Sequence, residues 1–372
     1  MMEKPTSSSA STALRFSAQV WMQAIARSLY QVGYGLMQFY VPIVFVNQMG
    51  LSAASVGLAT GLGSLSGVVG HFLGGALADD PRVGRKKTLL FSAGLSMLAA
   101  IVLALVQGLP LLVLANLLMG ISLGFYWTAA DAAVMDATDS ADRHQAFAIL
   151  GLAESLGVGV GVLGGGVLLA WVAEARSLFL LVSLIFLVFL VLVQTMMQGA
   201  IDSGADAETP AADPPQQGWR VALNDRRLRT FVLANVLFTT YIAVVNTTLP
   251  LYLTNFAAIG AFSGSSTASV ATLFTGCYVG IGAIAQVPIV QVLGSFPRVH
   301  VLMMSMLLWG GGFFLVWAIS VHSMSTIAAL GVLSIATAVY KPFAAAIVAE
   351  LAPPTLRGSY IALSSQCWAI GY

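Results

Sequence analysis

Long uncharged stretches constrain the fold of this chain more than any other feature of its sequence. Residues 28–78, 88–130 and 230–297 contain no Asp, Glu, Lys or Arg, and each stretch is long enough for about two membrane spans at roughly 20 residues per span. The stretches are continuously apolar rather than alternating, which favours helices over a transmembrane barrel. Since 8% of the residues are charged, against about 25% in soluble domains, we predict an all-α membrane protein.

Turn residues and charges divide the chain into ten complete spans and the beginning of an eleventh. The predicted spans are 19–46, 54–78, 88–107, 110–131, 146–170, 177–197, 230–255, 269–293, 299–320 and 326–349, with the eleventh beginning near Gly358.

Landmarks of the first half of the chain return in order in the second half. Residues 52–56, Ser-Ala-Ala-Ser-Val, return as Ser-Thr-Ala-Ser-Val at 266–270. The other matches are Pro42 with Pro250, Pro81-Arg82-Val83 with Pro297-Arg298-Val299, Tyr126 with Tyr340, Arg143 with Arg357, and Gly157 with Gly371. Duplicated bundles that enclose a site between their halves are typical of secondary transporters. We therefore expect two pseudo-symmetric six-helix bundles, at 19–197 and 230–372, the second incomplete because the chain is cut within the eleventh of twelve spans.

The distribution of basic residues predicts the orientation of the spans. Outside the spans, only Arg176 falls on the side opposite the N-terminus. The basic residues on the N-terminal side are Lys4, Arg15, Arg82, Arg85, Lys86, Lys87, Arg143, Arg220, Arg226, Arg227, Arg229, Arg298 and Arg357. By the positive-inside rule, we expect the tail 1–18 and the coil-like linker 198–229 in the cytoplasm, and the protein in an inner or plasma membrane. Residues 219–229 would form either a short basic surface helix or a solvated lead-in.

A glycine-rich segment and a basic turn follow the second span. Residues 74–79 read Gly-Gly-Ala-Leu-Ala-Asp and residues 84–87 read Gly-Arg-Lys-Lys. They resemble the signature of the major facilitator superfamily between spans two and three, a Gly-x-Leu-Ala-Asp followed by a Gly-Arg-Arg/Lys element. Together with the repeat, this resemblance covers the whole chain and implies that family's fold. It assigns a conformational role to Gly75, Asp79, Arg82, Gly84, Arg85, Lys86 and Asp136.

In that family, the aspartate that ends the second span contacts the positive end of the eleventh helix. An arginine of the turn, here Arg82 or Arg85, bridges to the acid that closes the fourth span, here Asp136. The spacing between Asp79 and Gly84 is longer than usual in the family. The basic residues of the turn could alternatively serve only to anchor the topology.

Four ionisable residues fall inside predicted spans, where a charge is costly unless it is paired or hydrated. They are Arg27, Asp131, Glu154 and Lys341, all within about 15 Å of the N-terminal side at 1.5 Å per residue. Two interpretations remain open. Arg27 is permanently paired with Asp131 or Glu154 as a packing element, or one of these carboxyl groups changes protonation during a conformational cycle.

Neutral side chains complete the predicted site. Aromatic rings beside a few polar groups form a binding surface for partly apolar molecules. The candidates are Tyr30, Tyr34, Gln38, Asn116, Tyr126, Trp127, Tyr241, Asn246 and Tyr340. The two cysteines, Cys277 and Cys367, have no metal-ligand spacing. No phosphate-binding loop is present in the sequence. We therefore predict no metal, no cofactor and no enzymatic activity.

These features predict a gradient-driven transporter of a small organic molecule that works by rocking of two halves, with proton-coupled efflux slightly favoured. Proton-linked uptake of a sugar or another metabolite is the main alternative. A transporter-like sensor or cofactor-delivery protein, and an inactive fragment, are alternatives of other classes. The net charge of +1 gives no reason to expect nucleic acid, and the expected partners are the lipid bilayer, protons and a small-molecule substrate of a monomer.

Overall fold

The computed structural model describes residues 18–136, 138, 143–171, 175–196, 221–256, 267–318, 323–353 and 357–371. These residues form eleven helices, when π-helical turns are counted with the helices that they interrupt, and a short helical turn at 221–224; no strand is found among them. Ten of the helices are long and apolar enough to cross a membrane. The predictions of an all-α membrane protein and of ten complete spans are therefore confirmed.

The first half consists of α1 to α6. Their bounds are α1 Ala18–Asn47, α2 Ala53–Asp79, α3 Gly84–Ala104, α4 Leu109–Asp136, α5 Arg143–Trp171 and α6 Ala175–Met196. The second half begins with α7, which comprises Arg226–Ala243, a π-helical Val244–Thr248 and Leu249–Phe256. It continues with α8, which comprises Thr267–Leu273, a π-helical Phe274–Gly280 and Ile281–Leu293, and then α9 Arg298–Ala318, α10 Ser323–Leu351 and α11 Arg357–Gly371.

Successive helices run in opposite directions, which gives the bundle two faces. We call the end that carries the beginning of α1 and the α2–α3 turn the N-terminal face, and the other end the opposite face. Local chemistry sets the turns: Gly50 and Gly84 have positive φ values of 70° and 68°, which glycine adopts without strain. Ser52 caps α2 by accepting a 3.1 Å hydrogen bond from the backbone N–H of Ser55.

Asp225 caps the beginning of α7 in the same way. Its carboxylate accepts hydrogen bonds from the backbone N–H groups of Arg227 at 2.8 Å and Leu228 at 3.4 Å, and from the Tyr360 hydroxyl at 3.0 Å. The membrane helix therefore begins at Arg226, earlier than the predicted residue 230. Of the segment 219–229, the described part is a helical turn at 221–224, the Asp225 cap and the first turn of α7. Neither of the two alternatives for 219–229 holds for Arg226, Arg227 and Arg229, because these residues form the first turn of α7.

Equivalent contacts in the two halves show the internal repeat. The Ser92 hydroxyl donates to the Ser122 carbonyl on α4, and the Ser305 hydroxyl donates to the Ala336 carbonyl on α10, both at 3.0 Å. Gly157 on α5 lies against α1, because a Cβ added there would meet the Ser28 carbonyl at 2.3 Å. Gly371 on α11 lies likewise against α7, where an added Cβ would meet the Thr239 hydroxyl at 2.3 Å.

One of the matches inferred from the sequence is wrong by three positions. Arg298, at the beginning of α9, donates to the Ala346 carbonyl at 2.8 Å, and Arg85, at the beginning of α3, donates to the Ala132 carbonyl at 3.0 Å. Arg85 is therefore the structural counterpart of Arg298. The Pro-Arg-Val triplets are identical in sequence but occupy different positions. Residues 81–83 precede α3, which begins at Gly84, whereas Arg298 of the second triplet is the first residue of α9.

Small residues hold the helices of the first half close together. An added Cβ on Gly120 of α4 would meet the Gly63 carbonyl of α2 at 1.9 Å, and one on Gly124 would meet the Gly70 backbone at 2.3 Å. Gly74 also faces α4, whereas nothing described lies within 4 Å of a Cβ on Gly75. In this segment it is therefore Gly74, and not Gly75, that lies against a described neighbouring helix. The predicted boundaries at 19–197, 198–229 and 230–372 stay predictions, since 197–220 lies outside the described residues. Residues 1–17 of the predicted tail 1–18 also lie outside them.

Candidate functional site

A cavity of about 590 Å³ lies between the two halves. The first half contributes residues from α1, α2, α4 and α5, and the second half contributes residues from α7, α8, α10 and α11. This volume is in the range of small-molecule sites, roughly 300–1,000 Å³. Since the cavity is formed by both halves, a change in their relative tilt changes its access.

The halves meet near the opposite face. The Asn255 side chain at the end of α7 donates to the Asn47 side chain at the end of α1 at 3.0 Å. The rings of Phe39 and Phe274 lie 5.3 Å apart, centroid to centroid. An added Cβ on Gly166 of α5 would meet Ala271 of α8 at 3.2 Å. These contacts close the cavity toward that face.

Arg27 on α1 and Asp131 on α4 form an ion pair. The Arg27 residue is 5% exposed, while the Asp131 side chain is 38% exposed and lines the cavity. The guanidinium group also lies over the ring of Trp127, 4.9 Å from its centroid, as in cation–π contacts. Of the two partners left open by the sequence, Asp131 is the one that Arg27 contacts directly.

Glu154 on α5 and Lys341 on α10 both line the cavity. Neither side chain makes a hydrogen bond or ion pair with another described residue. The charge of Glu154 acts on Arg27 through space, and Lys341 is exposed to the cavity. The structure therefore brings three of the four predicted intramembrane charges to one cavity surface and places the fourth, Arg27, directly behind Asp131.

The neutral candidates divide into two groups. Those that line the cavity are Tyr34, Gln38, Asn116, Trp127 and Asn246. The other four do not line it: Tyr30, Tyr126, Tyr241 and Tyr340. Tyr30 stacks on Tyr126 with ring centroids 3.6 Å apart, and Tyr241 stacks on Trp309 at 5.5 Å.

Tyr340 likewise packs within its own half. It stacks on Phe238 with ring centroids 4.9 Å apart, and its hydroxyl donates to the Asn235 side chain at 2.6 Å. Assigning these four tyrosines to the cavity surface was wrong, because the packing between helices within each half takes up the rings.

Sequence reasoning missed several cavity residues. They include Gln31, His71, Tyr278, Gln286, Ser365, Gln366 and Trp368. Gln31 had a usable signal, because Gln31, Tyr34 and Gln38 follow the three- and four-residue spacing of one helix face. His71 contacts its own helix, with Nδ1 2.8 Å from the Gly67 carbonyl, as expected for an interior histidine.

The basic turn after α2 is held by hydrogen bonds to neighbouring helices. Besides the bond from Arg85 to α4, the Lys86 ammonium donates to the Gln194 carbonyl of α6 at 3.1 Å. The backbone N–H of Arg82 donates to Asp80 at 2.7 Å, so Arg82 belongs to the turn itself. The side chains of Asp79 and Asp136 lie outside the described residues.

The second half shows how the equivalent turn pairs. Arg298 forms an ion pair with Glu350 at 2.6 Å, and the repeat relates Arg298 to Arg85 and Glu350 to Asp136. Arg85 is therefore the better candidate to bridge to Asp136, and this pairing stays a prediction. The helix α11 packs against α2, which brings a segment of the second half to the helix that ends at Asp79.

The comparisons with known proteins agree with this architecture. The sequence profile described as Major Facilitator Superfamily matches residues 23–276. This chain belongs to the major facilitator superfamily. A curated relative of this superfamily protein is the Na(+), Li(+), K(+)/H(+) antiporter of Planococcus maritimus, 24% identical over 89% of this chain and 82% of that protein.

Solved structures share the fold of this superfamily protein at low sequence identity. A mutant of the nucleoside transporter NupG superposes with a TM-score of 0.78 and 13% identity, over 95% of this chain and 88% of that chain. A D-xylose–proton symporter superposes with a TM-score of 0.70 and 16% identity, over 95% of this chain and 87% of that chain. The family and the fold are those of membrane transporters and not of enzymes.

Proposed function

We propose that this protein is a proton-coupled secondary transporter that exports a small organic molecule by alternating access. The observation that carries the proposal is the cavity between the halves, which is closed near the opposite face and contains ionisable side chains on both walls. Rocking of the halves around a fixed central site would expose the cavity to one side and then to the other.

Proton coupling is proposed for the carboxyl groups of Asp131 and Glu154. Both lie in the cavity, where protons from the open side reach them, and Asp131 is held by a buried cation, Arg27. Protonation of either carboxyl group changes the net charge of this cluster by one elementary charge. The electrostatic energy of that change is large because few water molecules screen charges at membrane depth. A permanent Arg27–Asp131 pair that only packs the helices is the competing interpretation.

Export is favoured over uptake by the curated relative, whose name describes exchange of cations for protons. We propose that the N-terminal face is cytoplasmic, because the basic residues cluster there, and that the protein lies in an inner or plasma membrane. We propose a monomer as the working unit, since described residues of a single chain line the cavity on both sides.

The substrate class follows from the cavity wall. Amide groups of Gln38, Asn116 and Asn246 and the ring of Trp127 suit an organic molecule with polar and apolar parts. A monovalent cation is a second candidate, favoured by the carboxyl groups of Asp131 and Glu154. Among the described residues, however, no group of three or more acidic, His or Cys side chains converges as in a metal site.

The proposal is tested with purified protein in proteoliposomes whose lumen is acidified, using a fluorescent pH probe. Adding a panel of organic substrates or alkali cations to wild type is expected to release lumenal protons for at least one compound. Asp131→Asn and Glu154→Gln are expected to reduce that release at least tenfold. Asp213→Asn removes a carboxylate of the predicted linker 198–229 and serves as the matched control, with wild-type activity expected.

The outcomes separate the candidate functions. Substrate counterflow without any proton movement would contradict coupling while leaving transport intact. Binding of a compound, read by thermal stabilisation, without counterflow would favour a sensor. A response to alkali cations alone would favour the second candidate substrate class.

A further inference from the structure

Charges of opposite sign lie on the two walls of the cavity. The first half carries Asp131 and Glu154, and the second half carries Lys341. Arg27 compensates Asp131 directly. One carboxylate, Glu154, and one ammonium group, Lys341, remain without a hydrogen-bonded or ion-paired partner among the described residues, each on its own wall.

The two unpaired groups lie at the same depth. Glu154 follows the beginning of α5 at Arg143, and Lys341 precedes the end of α10 at Leu351, both at the N-terminal face. At 1.5 Å per residue these positions are about 16 Å and about 15 Å along their helices from that face. Asp131 lies only about 7 Å from the end of α4. Glu154 is therefore the carboxylate on the level of Lys341.

The repeat relates this pair to a second pair in the cavity. The offset that matches Gly157 with Gly371 matches Glu154 with Trp368, and the offset that matches Tyr126 with Tyr340 matches Trp127 with Lys341. All four side chains line the cavity. A pseudo-twofold axis that exchanges α5 with α11 and α4 with α10 thus relates Glu154 and Lys341 to Trp368 and Trp127.

The helix that carries Lys341 is able to bend at this position. Pro342 lies inside α10 and has no backbone N–H, so it cannot bond to the carbonyl four residues earlier. That carbonyl belongs to Ala338, which lines the cavity. The equivalent position in α4 is Thr128, so α4 keeps the hydrogen bond that α10 lacks.

We propose that Lys341 is the positioning residue that closes the cavity at the N-terminal face, by pairing with ionised Glu154 when the two walls meet. This inference rests on the proposed alternating-access function. With Glu154 protonated, closure buries the Lys341 ammonium group without a counter-charge, which is unfavourable at membrane depth. Protonation of Glu154 and closure of the N-terminal face therefore exclude each other.

The mutual exclusion of Glu154 protonation and closure of the N-terminal face would determine the order of steps in the transport cycle. A proton lost to the N-terminal side leaves Glu154 ionised, so the protein closes around its substrate. A proton arriving from the opposite side neutralises Glu154, breaks the pair and reopens the N-terminal face. The other ionisable groups that line the same cavity are Tyr34 from α1, His71 from α2, Asp131 from α4 and Tyr278 from α8, and Arg27 from α1 lies within electrostatic reach of Glu154.

The test measures the distance between the walls as a function of pH. Spin labels are attached to Leu152→Cys on α5 and Leu351→Cys on α10, after Cys277 and Cys367 are replaced by alanine, and distances are recorded in lipid nanodiscs. For the otherwise unchanged protein we expect a short-distance population that grows as pH rises. Lys341→Gln and Glu154→Gln are each expected to abolish that growth, while Lys341→Arg retains it.

The decisive variant exchanges the two charges, Glu154→Lys together with Lys341→Glu. Each of these substitutions alone is expected to remove the short-distance population, and the double variant is expected to restore it. Gln286→Glu, a cavity residue on α8, controls for a nonspecific change of cavity charge. Thermal unfolding of each labelled variant verifies that it is folded.

Two results would overturn the inference and point to different causes. A labelled parent with no pH-dependent distance change would contradict the proton-coupled function as well. A parent that responds, together with a Lys341→Gln variant that responds equally, would remove only the role of Lys341.

Discussion

The Arg27–Asp131 pair predicts an unequal cost for removing its two members. Arg27 is almost fully buried, and the Asp131 side chain keeps access to the cavity. Asp131→Asn leaves a buried guanidinium group without its partner, and removing one member of a buried pair costs about 3 kcal/mol or more. Arg27→Met keeps an unbranched apolar stem and leaves a carboxylate that water reaches, so we expect a cost of about 1 kcal/mol.

The double variant tests the same reasoning. The cost of Asp131→Asn comes from leaving the buried guanidinium group unpaired, and Arg27→Met removes that group. The double variant Arg27→Met with Asp131→Asn is therefore expected to be about as stable as Arg27→Met alone. The double-mutant cycle then gives a coupling of about 3 kcal/mol, at the upper end of the range found for contacting residues.

The assay is equilibrium unfolding of the detergent-solubilised protein by sodium dodecyl sulfate, followed by the fluorescence of its seven tryptophans. Glu350→Gln provides the control, since the Glu350 side chain is 61% exposed and its ion pair with Arg298 is expected to contribute less than about 1 kcal/mol. The reasoning is refuted if Arg27→Met destabilises the protein as much as Asp131→Asn does.

Two further predictions concern the helices around the cavity. Gly124→Val would force α4 away from α2 and is expected to abolish folding, as judged by size-exclusion chromatography. Gly94→Ala is the control and is expected to behave as wild type, because nothing described lies within 4 Å of the added Cβ. A monodisperse Gly124→Val variant would contradict the close packing of α2 and α4. Burial acts to raise the pKa of Asp225, but hydrogen bonds from Arg227, Tyr360 and Leu228 lower it below its ordinary value. The stabilisation by the ionised Asp225 carboxylate is therefore present above about pH 4 and is lost as pH falls below that. The difference in Tm between wild type and Asp225→Asn should shrink on acidification. A difference in Tm that is independent of pH would contradict a stabilising role of the Asp225 charge.

The membrane helices could be predicted from the sequence because their signal is local. A span needs only a continuous run of apolar residues, and its end is marked by charges and turn residues such as Gly50 and Gly84. The repeat was also readable, but an identical triplet placed Arg298 opposite the wrong residue. The correct counterpart, Arg85, is identified by its hydrogen bond to the Ala132 carbonyl of α4, a long-range contact that the sequence does not display.

The cavity wall was less predictable because neighbouring residues on a helix point in directions about 100° apart. The sequence placed both Tyr126 and Trp127 in the site, and the structure turns Tyr126 toward Tyr30 and Trp127 toward the cavity. Which of the two faces inward depends on the helices that pack around α4. The π-helical turns in α7 and α8 rotate the following residues further, and nothing in their sequence indicates such turns.

The hydrogen bond between Asn47 and Asn255 has a consequence for the energetics of switching. Both side chains are exposed, and water competes for every group in the bond, so it contributes on the order of 1 kcal/mol. The closed end is thus held chiefly by apolar contacts between the halves, such as the ring pair Phe39–Phe274 and the contact of Gly166 with Ala271. Opening that end would expose this apolar surface, so a substrate would have to favour the other access state by about tenfold for each 1.4 kcal/mol of that cost.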